Sequence, residues 1–458
     1  MLSVYNQWKS RLYEPVDSST LGTFRFLFGF LLIIQSFCIF NEPFIQSNFI
    51  QNRYHFPHPL FEWLHLSRLS GTGIHCLFLL MGISAVGICT GLWYRMSTLI
   101  YLATFTYVFL FEKALYNDHY YLIILVCGLF CFMDADRWPA LPTFRKTKET
   151  RRFIPYWFIW VLKFQFLVVY FYGGLSKLNT DWLCYAEPVY RIIATKTLFG
   201  FSLNHYIPAY LISYAGILVD LGMPFLLLSR YTRRLGFSLA VFFNITNVWL
   251  FEGDIGIFPY LMIASLVLFI KPSAPRILSE KYLREKSSGH RPIEMPPDRS
   301  YRNRRVVTSI LIVYVIFQLI FPLRHWLYNG DVRWNFEGAR YSWFLKLNAK
   351  DVRLHVYVLD PVTNNKIIID HTSNLTVNQL WMDNIPDMFF QWVQLLKIEL
   401  DKIEIKNPRI YIQSAASLNR RPFQPYLDPN LDFSEAEFSI YRHSPWIVPL
   451  DKHLKPQR

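Results

Sequence analysis

Three clusters of polar residues interrupt stretches of sequence that are otherwise apolar. Asn117-Asp118-His119 opens one stretch, Gly173-Gly174-Leu175-Ser176-Lys177-Leu178-Asn179-Thr180-Asp181-Trp182 closes another, and Asn244 and Asn247 lie inside a third. A polar or ionisable side chain in an apolar span is costly, so each is a candidate functional group by default. A lysine desolvated in such a place can be held as an uncharged amine, which acts as a general base; a histidine can carry a proton, and amides can orient a polar ligand. Each group also has a plainer reading. Lys177 could be an interface lysine reaching water beside Trp182, His119 a helix-end histidine, and the two asparagines hydrogen bonds between helices. The functional reading gains from the convergence of all three clusters on one side, and from Gly173-Gly174, which leaves room for backbone or a flat ligand to come close. No Cys-x-x-Cys metal spacing occurs, and no metal is expected.

The elements that must position these groups are membrane helices. Of 458 residues, 52% are hydrophobic and 17% charged, against roughly 45–50% and about 25% in a soluble domain. Aromatics reach 18%, which excludes disorder and fits lipid-facing spans with aromatic anchors. Apolar runs near 20–40, 74–93, 97–112, 119–134, 155–175, 208–229, 235–251, 255–271 and 306–322 predict an α-helical polytopic bundle of about eight to nine transmembrane helices over residues 1–322. The first run begins too late and extends too far for a cleavable signal, so it is expected to stay in the mature protein.

The formal charge of +14 follows the spans rather than forming a nucleic-acid surface. With the amino terminus inside, the inner connections are Tyr94-Arg95-Met96, 135–153, Arg230–Arg234 and 272–305. These carry Arg145, Lys146, Lys148, Arg151 and Arg152, then Arg230, Arg233 and Arg234, then Lys281, Arg284, Lys286, Arg291, Arg299, Arg302, Arg304 and Arg305. The 272–305 segment reads as an inner linker, its charge explained by orientation and anionic lipid. His119 and Lys177 then fall at the outer ends of their spans, and the carboxyl-terminal part emerges outside. All six cysteines, Cys38, Cys76, Cys89, Cys127, Cys131 and Cys184, precede residue 185 and read as membrane core residues.

Beyond about residue 340 the period changes. Val352–Val358 alternates with period two, Asn364-Asn365 marks a turn, Lys366–Ile369 returns, a helix is expected near Pro386–Lys402, and Arg409–Ile412 reads as a further strand. Residues 323–458 are therefore expected to form a β-rich outer or lumenal domain.

Taken in order, these segments resemble the vitamin K-dependent γ-glutamyl carboxylase family, whose membrane part is also called the HTTM domain. The resemblance runs through Leu21–Phe30, Phe56-Pro57 to Trp63, Tyr116–Leu122 and Phe132–Asp136. It is clearest at Val169–Trp182, which is similar to the family's Tyr-Phe-x-Ala/Gly-Gly-x-x-Lys-Leu-x-x-Asp-Trp signature. It reaches the outer domain at Tyr341-Ser342-Trp343, Ser417–Pro422, Asp428–Asp432 and Ser444–Leu450. The resemblance implies an integral membrane enzyme in which an uncharged lysine, here Lys177, takes a proton from vitamin K hydroquinone or menaquinol. O2 and CO2 are co-substrates, and the reactions are quinol epoxidation and carboxylation of peptidyl glutamate in the carbon–carbon lyase class. His119 matches the histidine that assists the carboxylation step.

The sequence departs from the family pattern at Asn244, where the seventh span of relatives has His-x-x-Asn. It departs also at Asp118, where animal carboxylases have Asn, and after Trp343, where Phe344-Leu345-Lys346 replaces a methionine-rich continuation. The cysteine pair that bridges the two parts of animal enzymes has no carboxyl-terminal partner here. These departures favour a bacterial or divergent member, placed in a bacterial plasma membrane, or in the endoplasmic reticulum if the host is eukaryotic. Partners would be membrane lipids and a glutamate-containing peptide, with no nucleic acid. A second reading keeps the fold as a non-catalytic scaffold or peptide- and lipid-binding protein, and a third, a transporter, lacks the inverted repeats it would need.

Overall fold

In the computed structural model, residues 2–138, 152–282, 304–345 and 349–457 are described. All nine apolar runs fold as helix: α1 (Ser19–Ile39), α2 (Gly71–Thr90), α3 (Tyr94–Phe111), α4 (Asp118–Phe130), α5 (Trp157–Ser176), α6 (Ala209–Leu228), α7 (Arg233–Phe251), α8 (Phe258–Ser265, continued as a tighter turn over Leu266–Phe269) and α9 (Arg304–Ile320). Among the described residues, six helices are long and apolar enough to cross a membrane: α1, α2, α5, α6, α7 and the segment Arg304–Leu327. A seventh crosses if the pair Phe258–Phe269 and Ala274–Tyr282, bent by 92°, forms one broken span. Eight to nine spans were expected, and the difference has two causes. Helix α4 has 13 residues, about 20 Å of rise, too short to traverse a bilayer core alone. Helix α3 carries Arg95, Ser97, Thr98, Thr104 and Thr106, which dilute its hydropathy.

Helix α5 is the most enclosed of the candidate spans, and the aromatic side chains of Phe24, Phe130 and Phe166 meet edge to face at the centre of the bundle. At the end bearing the basic connections, Asp17 accepts from Arg152 (2.9 Å) and Arg276 (3.0 Å) and caps the Ser19 N–H. Residues Pro15–Asp17 pair there with Phe153–Pro155. Of the basic residues assigned to these connections, Arg145, Lys146, Lys148, Arg151, Arg284, Lys286, Arg291, Arg299 and Arg302 lie outside the described residues, as does Lys346.

At the opposite end sits a four-stranded antiparallel sheet, β1 (Lys350–Leu359), β2 (Lys366–Ile369), β3 (Arg409–Leu418) and β4 (Gln424–Pro425), in the order β2-β1-β3-β4. Period-two alternation puts Leu354, Val356 and Val358 on one face with Ile410 and Ile412. Helix α10 (Pro386–Lys402) covers that face with Phe389, Trp392, Val393 and Leu396. The same core contains Tyr54 and Phe56, contributed by the long connection between α1 and α2. Lys113, between α3 and α4, donates to Asp387 on α10 (3.0 Å), and Arg340 donates to the same carboxylate (2.7 Å).

Buried Lys113 and largely enclosed Arg340 thus share Asp387. Burial opposes its ionisation, but Arg340 and Lys113 hold its carboxyl well below the usual range. Burial also pushes the Lys113 ammonium down to about 8. Replacing Asp387 by Asn strands both cations, and the expected loss of stability is about 3–5 kcal/mol, measured by chemical denaturation in detergent micelles. An unchanged midpoint would show that this triad does not hold the two parts together.

Candidate active site

A cavity of about 600 Å³ lies where the bundle meets the outer domain. Asn117, Asp118, His119, Lys177, Asn244 and Asn247 all line it, so the three polar clusters, separate in sequence, share one space. Gly173 and Gly174 do not line it. A Cβ at Gly174 would stand 2.8 Å from the Leu221 side chain and 2.9 Å from its backbone nitrogen, and one at Gly173 would stand 3.7 Å from Asp220 Oδ2. Of the two approaches expected, backbone or a flat ligand, it is the backbone of helix α6 that comes close at Gly174; at Gly173 the neighbours, Leu345 at 3.5 Å and then Asp220, stand at ordinary contact distance.

That close crossing delivers a partner for Lys177. Its Nζ donates to Asp220 Oδ2, and both side chains are almost wholly enclosed. The ammonium also sits 5.3 Å from the Trp182 ring centroid and 5.9 Å from that of Phe243. The backbone turns sharply after Lys177 because Asn179 caps the short helix Thr180–Tyr185, accepting from the Trp182 N–H at 3.1 Å. Trp182 is locked to α6 by mutual bonds with Ser213, each 2.8 Å. Asp220 is absent from the sequence-based candidates, although its signal was present: it is the lone acid in the apolar run 208–229.

Asn244 donates to the Ala240 carbonyl (2.8 Å) and to the Tyr170 hydroxyl (3.1 Å), so its amide nitrogen serves helix packing while the side chain faces the cavity. Asp118 accepts from Tyr116 (2.7 Å), whose oxygen in turn accepts from the Tyr341 N–H. The His119 ring packs against Tyr120 and Phe258. Gly256, with φ +47°, closes over it so that a Cβ there would lie 3.5 Å from His119 Nε2; only glycine occupies this position without strain.

The outer wall is cationic. Arg333, Arg340, Lys113 and Lys350 line it, whereas Val189, Ile192, Ile193, Ile212, Leu250 and Phe251 make an apolar stretch nearer the bundle. Wall and bundle are fastened at Asp181, which is fully buried. Arg421 grips its two oxygens at 2.6 and 2.7 Å, Asn419 donates at 2.8 Å, and Arg333 lies at 3.2 Å. The Asp-Trp end of the Val169–Trp182 segment and the Asn-Arg-Arg of Ser417–Pro422 are therefore the two halves of one joint.

A bundle of apolar helices enclosing a lysine–aspartate couple and capped by a β-sheet domain with a cationic inner wall defines a multi-pass membrane protein with a polar cavity where its two parts meet. Residues 13–273 match the HTTM domain family, and residues 303–453 match the vitamin K-dependent gamma-carboxylase lumenal domain. The chain belongs to the vitamin K-dependent gamma-carboxylase family. No solved structure matches it.

Beside the Asp181 joint, Glu187 is buried, and that burial raises its carboxyl to about 7 against the weaker pull of Arg420 at 3.4 Å. A raised carboxyl holds its proton more firmly folded than unfolded, so the stability it contributes is present below about pH 4.5 and declines as pH rises toward about 7. In a Glu187→Gln variant that decline should vanish. Thermal unfolding should show the variant gaining on the native protein at pH 8 relative to pH 5; parallel curves would refute the assignment.

Proposed function

We propose that this protein is a membrane enzyme that oxygenates a vitamin K-type hydroquinone, or menaquinol, to its epoxide and couples this to carboxylation of peptidyl glutamate. The observation that carries the reading is the enclosed Lys177–Asp220 couple facing a cavity whose wall is apolar on one side and cationic on the other. The residues suit the ligand: Ile192, Ile193 and Leu250 match an isoprenoid or phytyl chain, and polar groups on α4, α5 and α7 match the oxygens of its ring. When bound, the hydroquinone supplies, with O2, a base strong enough to remove a γ-proton from glutamate.

Lys177 is the base in this reading, and Asp220 is the residue that makes the role affordable. As a couple, the two side chains bring no net charge into the bundle, and Asp220 fixes the direction in which the Lys177 nitrogen points. Trp182 and Phe243 keep water from the amine. His119, held by Tyr120, Phe258 and Gly256, serves the carboxylation step, in which CO2 is captured. Asn117, Asp118 and Asn247 shape the polar side, and Asn244 orients without transferring a proton, because an amide does not titrate. The outer domain is extracytoplasmic, most simply on a bacterial plasma membrane.

Epoxide formation by purified protein in nanodiscs, with reduced vitamin K and oxygen, tests this. Lys177→Ala should lower the rate by about 10²- to 10⁴-fold. The double variant Lys177→Met/Asp220→Asn, which removes both charges at once, should be equally inactive yet folded. A Lys177→Ala protein as active as the native one would sink the reading.

A further inference from the structure

At the end of the bundle that bears the basic connections, the acids do not match all of the cations. Asp17 serves Arg152 and Arg276, and Asp134 serves Arg95 and Arg137. Among the described residues, Lys163 on α5 and Arg233 at the start of α7 have no carboxylate within ion-pair distance. Lys163 is half-buried and stands about 9 Å along α5 from Trp157. Its Nζ makes one long hydrogen bond, 3.4 Å to the Tyr156 hydroxyl, and the Tyr156 and Phe269 ring centroids lie 5.4 and 5.6 Å away. Two of its three N–H donors are left over. Arg233 donates to the Leu227 carbonyl (3.0 Å) and the Leu228 carbonyl (3.3 Å), closing the end of α6, and most of its guanidinium donors also remain.

The two cations belong to one crevice. The Arg233 charge bears on both Lys163 and the Tyr156 hydroxyl, and exposed Arg11, on the amino-terminal helix Leu2–Leu12, bears on the same hydroxyl. One acid, Glu14, also acts there, so three positive charges face one negative. Trp8 meets Trp160 edge to face at 5.6 Å, and Trp160 stacks on Phe164, as aromatic side chains do at a membrane–water boundary. One turn on from Arg233, α7 presents a shallow groove of about 550 Å³ lined by Phe237, Val241, Phe242 and Ile245. Phe242 and Ile245 are largely exposed, so the groove opens to lipid. A lone interface lysine needs only water for its head; Lys163 shares its crevice with a second unmatched cation at the head of an apolar track.

We propose that this crevice holds the phosphate of one anionic phospholipid, drawn from the leaflet opposite the outer domain, with Lys163 and Arg233 as its ligands and an acyl chain in the groove on α7. Three cations against one acid favour a headgroup of net negative charge over a zwitterionic one. The paired cations at this end are poorer sites, because a phosphate would compete there with a carboxylate already in place. Lys163 lies about four turns along α5 from Lys177, so the site stands apart from the reaction proposed above.

The test is which lipid stays with the protein. Full-length protein is released from nanodiscs of equal parts phosphatidylcholine and phosphatidylglycerol, and its bound lipid is read by native mass spectrometry. The native protein should keep one phosphatidylglycerol in preference to phosphatidylcholine. Lys163→Met/Arg233→Gln should lower that retention about 10-fold or more, and Lys163→Arg should preserve it. Arg230→Gln/Arg234→Gln, the same loss of charge at two exposed positions of the connection between α6 and α7, should change it little. Thermal unfolding establishes that each variant is folded. Inorganic phosphate, titrated calorimetrically into protein in phosphatidylcholine nanodiscs, should give no heat of binding, because it has no chain for the groove. Equal retention of the two lipids by the native protein would overturn the assignment, as would equal retention by the native and Lys163→Met/Arg233→Gln proteins. An equal loss in Arg230→Gln/Arg234→Gln would reduce the effect to general surface charge, and phosphate binding lost in Lys163→Met/Arg233→Gln would make this a free-anion site; either result sinks the proposal.

Discussion

The architecture turns on one carboxylate. Asp181 has no access to solvent, and its two oxygens are bound by Arg421 and Asn419 of the outer domain, with Arg333 alongside. A buried acid is tolerated only when its lone pairs are filled and its charge is met, so the outer domain has one register in which it can sit. That register places the first residues of β1 over the cavity. It also stops the chain after α5 from relaxing, so that Lys177 and Trp182 point inward instead of trailing into the headgroups.

A second constraint acts inside the bundle, and it is steric. Because Gly174 has no side chain, α6 comes within van der Waals distance of the α5 backbone, and Asp220 is brought to Lys177. Close helix crossing and buried ion pair are the same event viewed at two scales. The polar end of the cavity is therefore as rigid as the packing around it. Its apolar side, where α6 and α7 leave most of their surface outside the protein, is bounded by two helices with lipid behind them.

Much of this was legible in the sequence because the signals are local. Alternation marked β1 and β2, the Asn364-Asn365 turn joined them, and polar residues in apolar runs marked Asn117 to His119, Lys177 and Asn244. Other features were not legible, for reasons that are also physical. Asp220 gave a local signal but no indication that it faced Lys177, since that depends on a helix crossing 43 residues away. Gly173 and Gly174 were visible as permissive positions, but sequence does not say what approaches a glycine. Lys350 precedes the alternating stretch Val352–Val358 and carries no local signal; that it has no acid beside it among the described residues is a property of the fold. Apolar runs give more candidate spans than there are helices long and apolar enough to cross alone, because a run such as that of α4 yields a helix of only 13 residues. The contribution of Tyr54 and Phe56 to the outer core follows from no periodicity at all.

The Asp181 joint also dictates an order of construction. Asp181 and Arg421 are 240 residues apart, and a chain made from its amino end must deliver the first long before the second exists. Until the last strands are made, the Asp181 carboxylate has Arg333 beside it but lacks the two-point grip of Arg421 and the Asn419 amide, so water must fill the remaining lone pairs at the end of α5. The bundle can be threaded early, but its cavity is closed last, from the side of Ser417–Pro422. A chain cut short before Arg421 therefore leaves the joint half made and the cavity that Lys177 lines open to water.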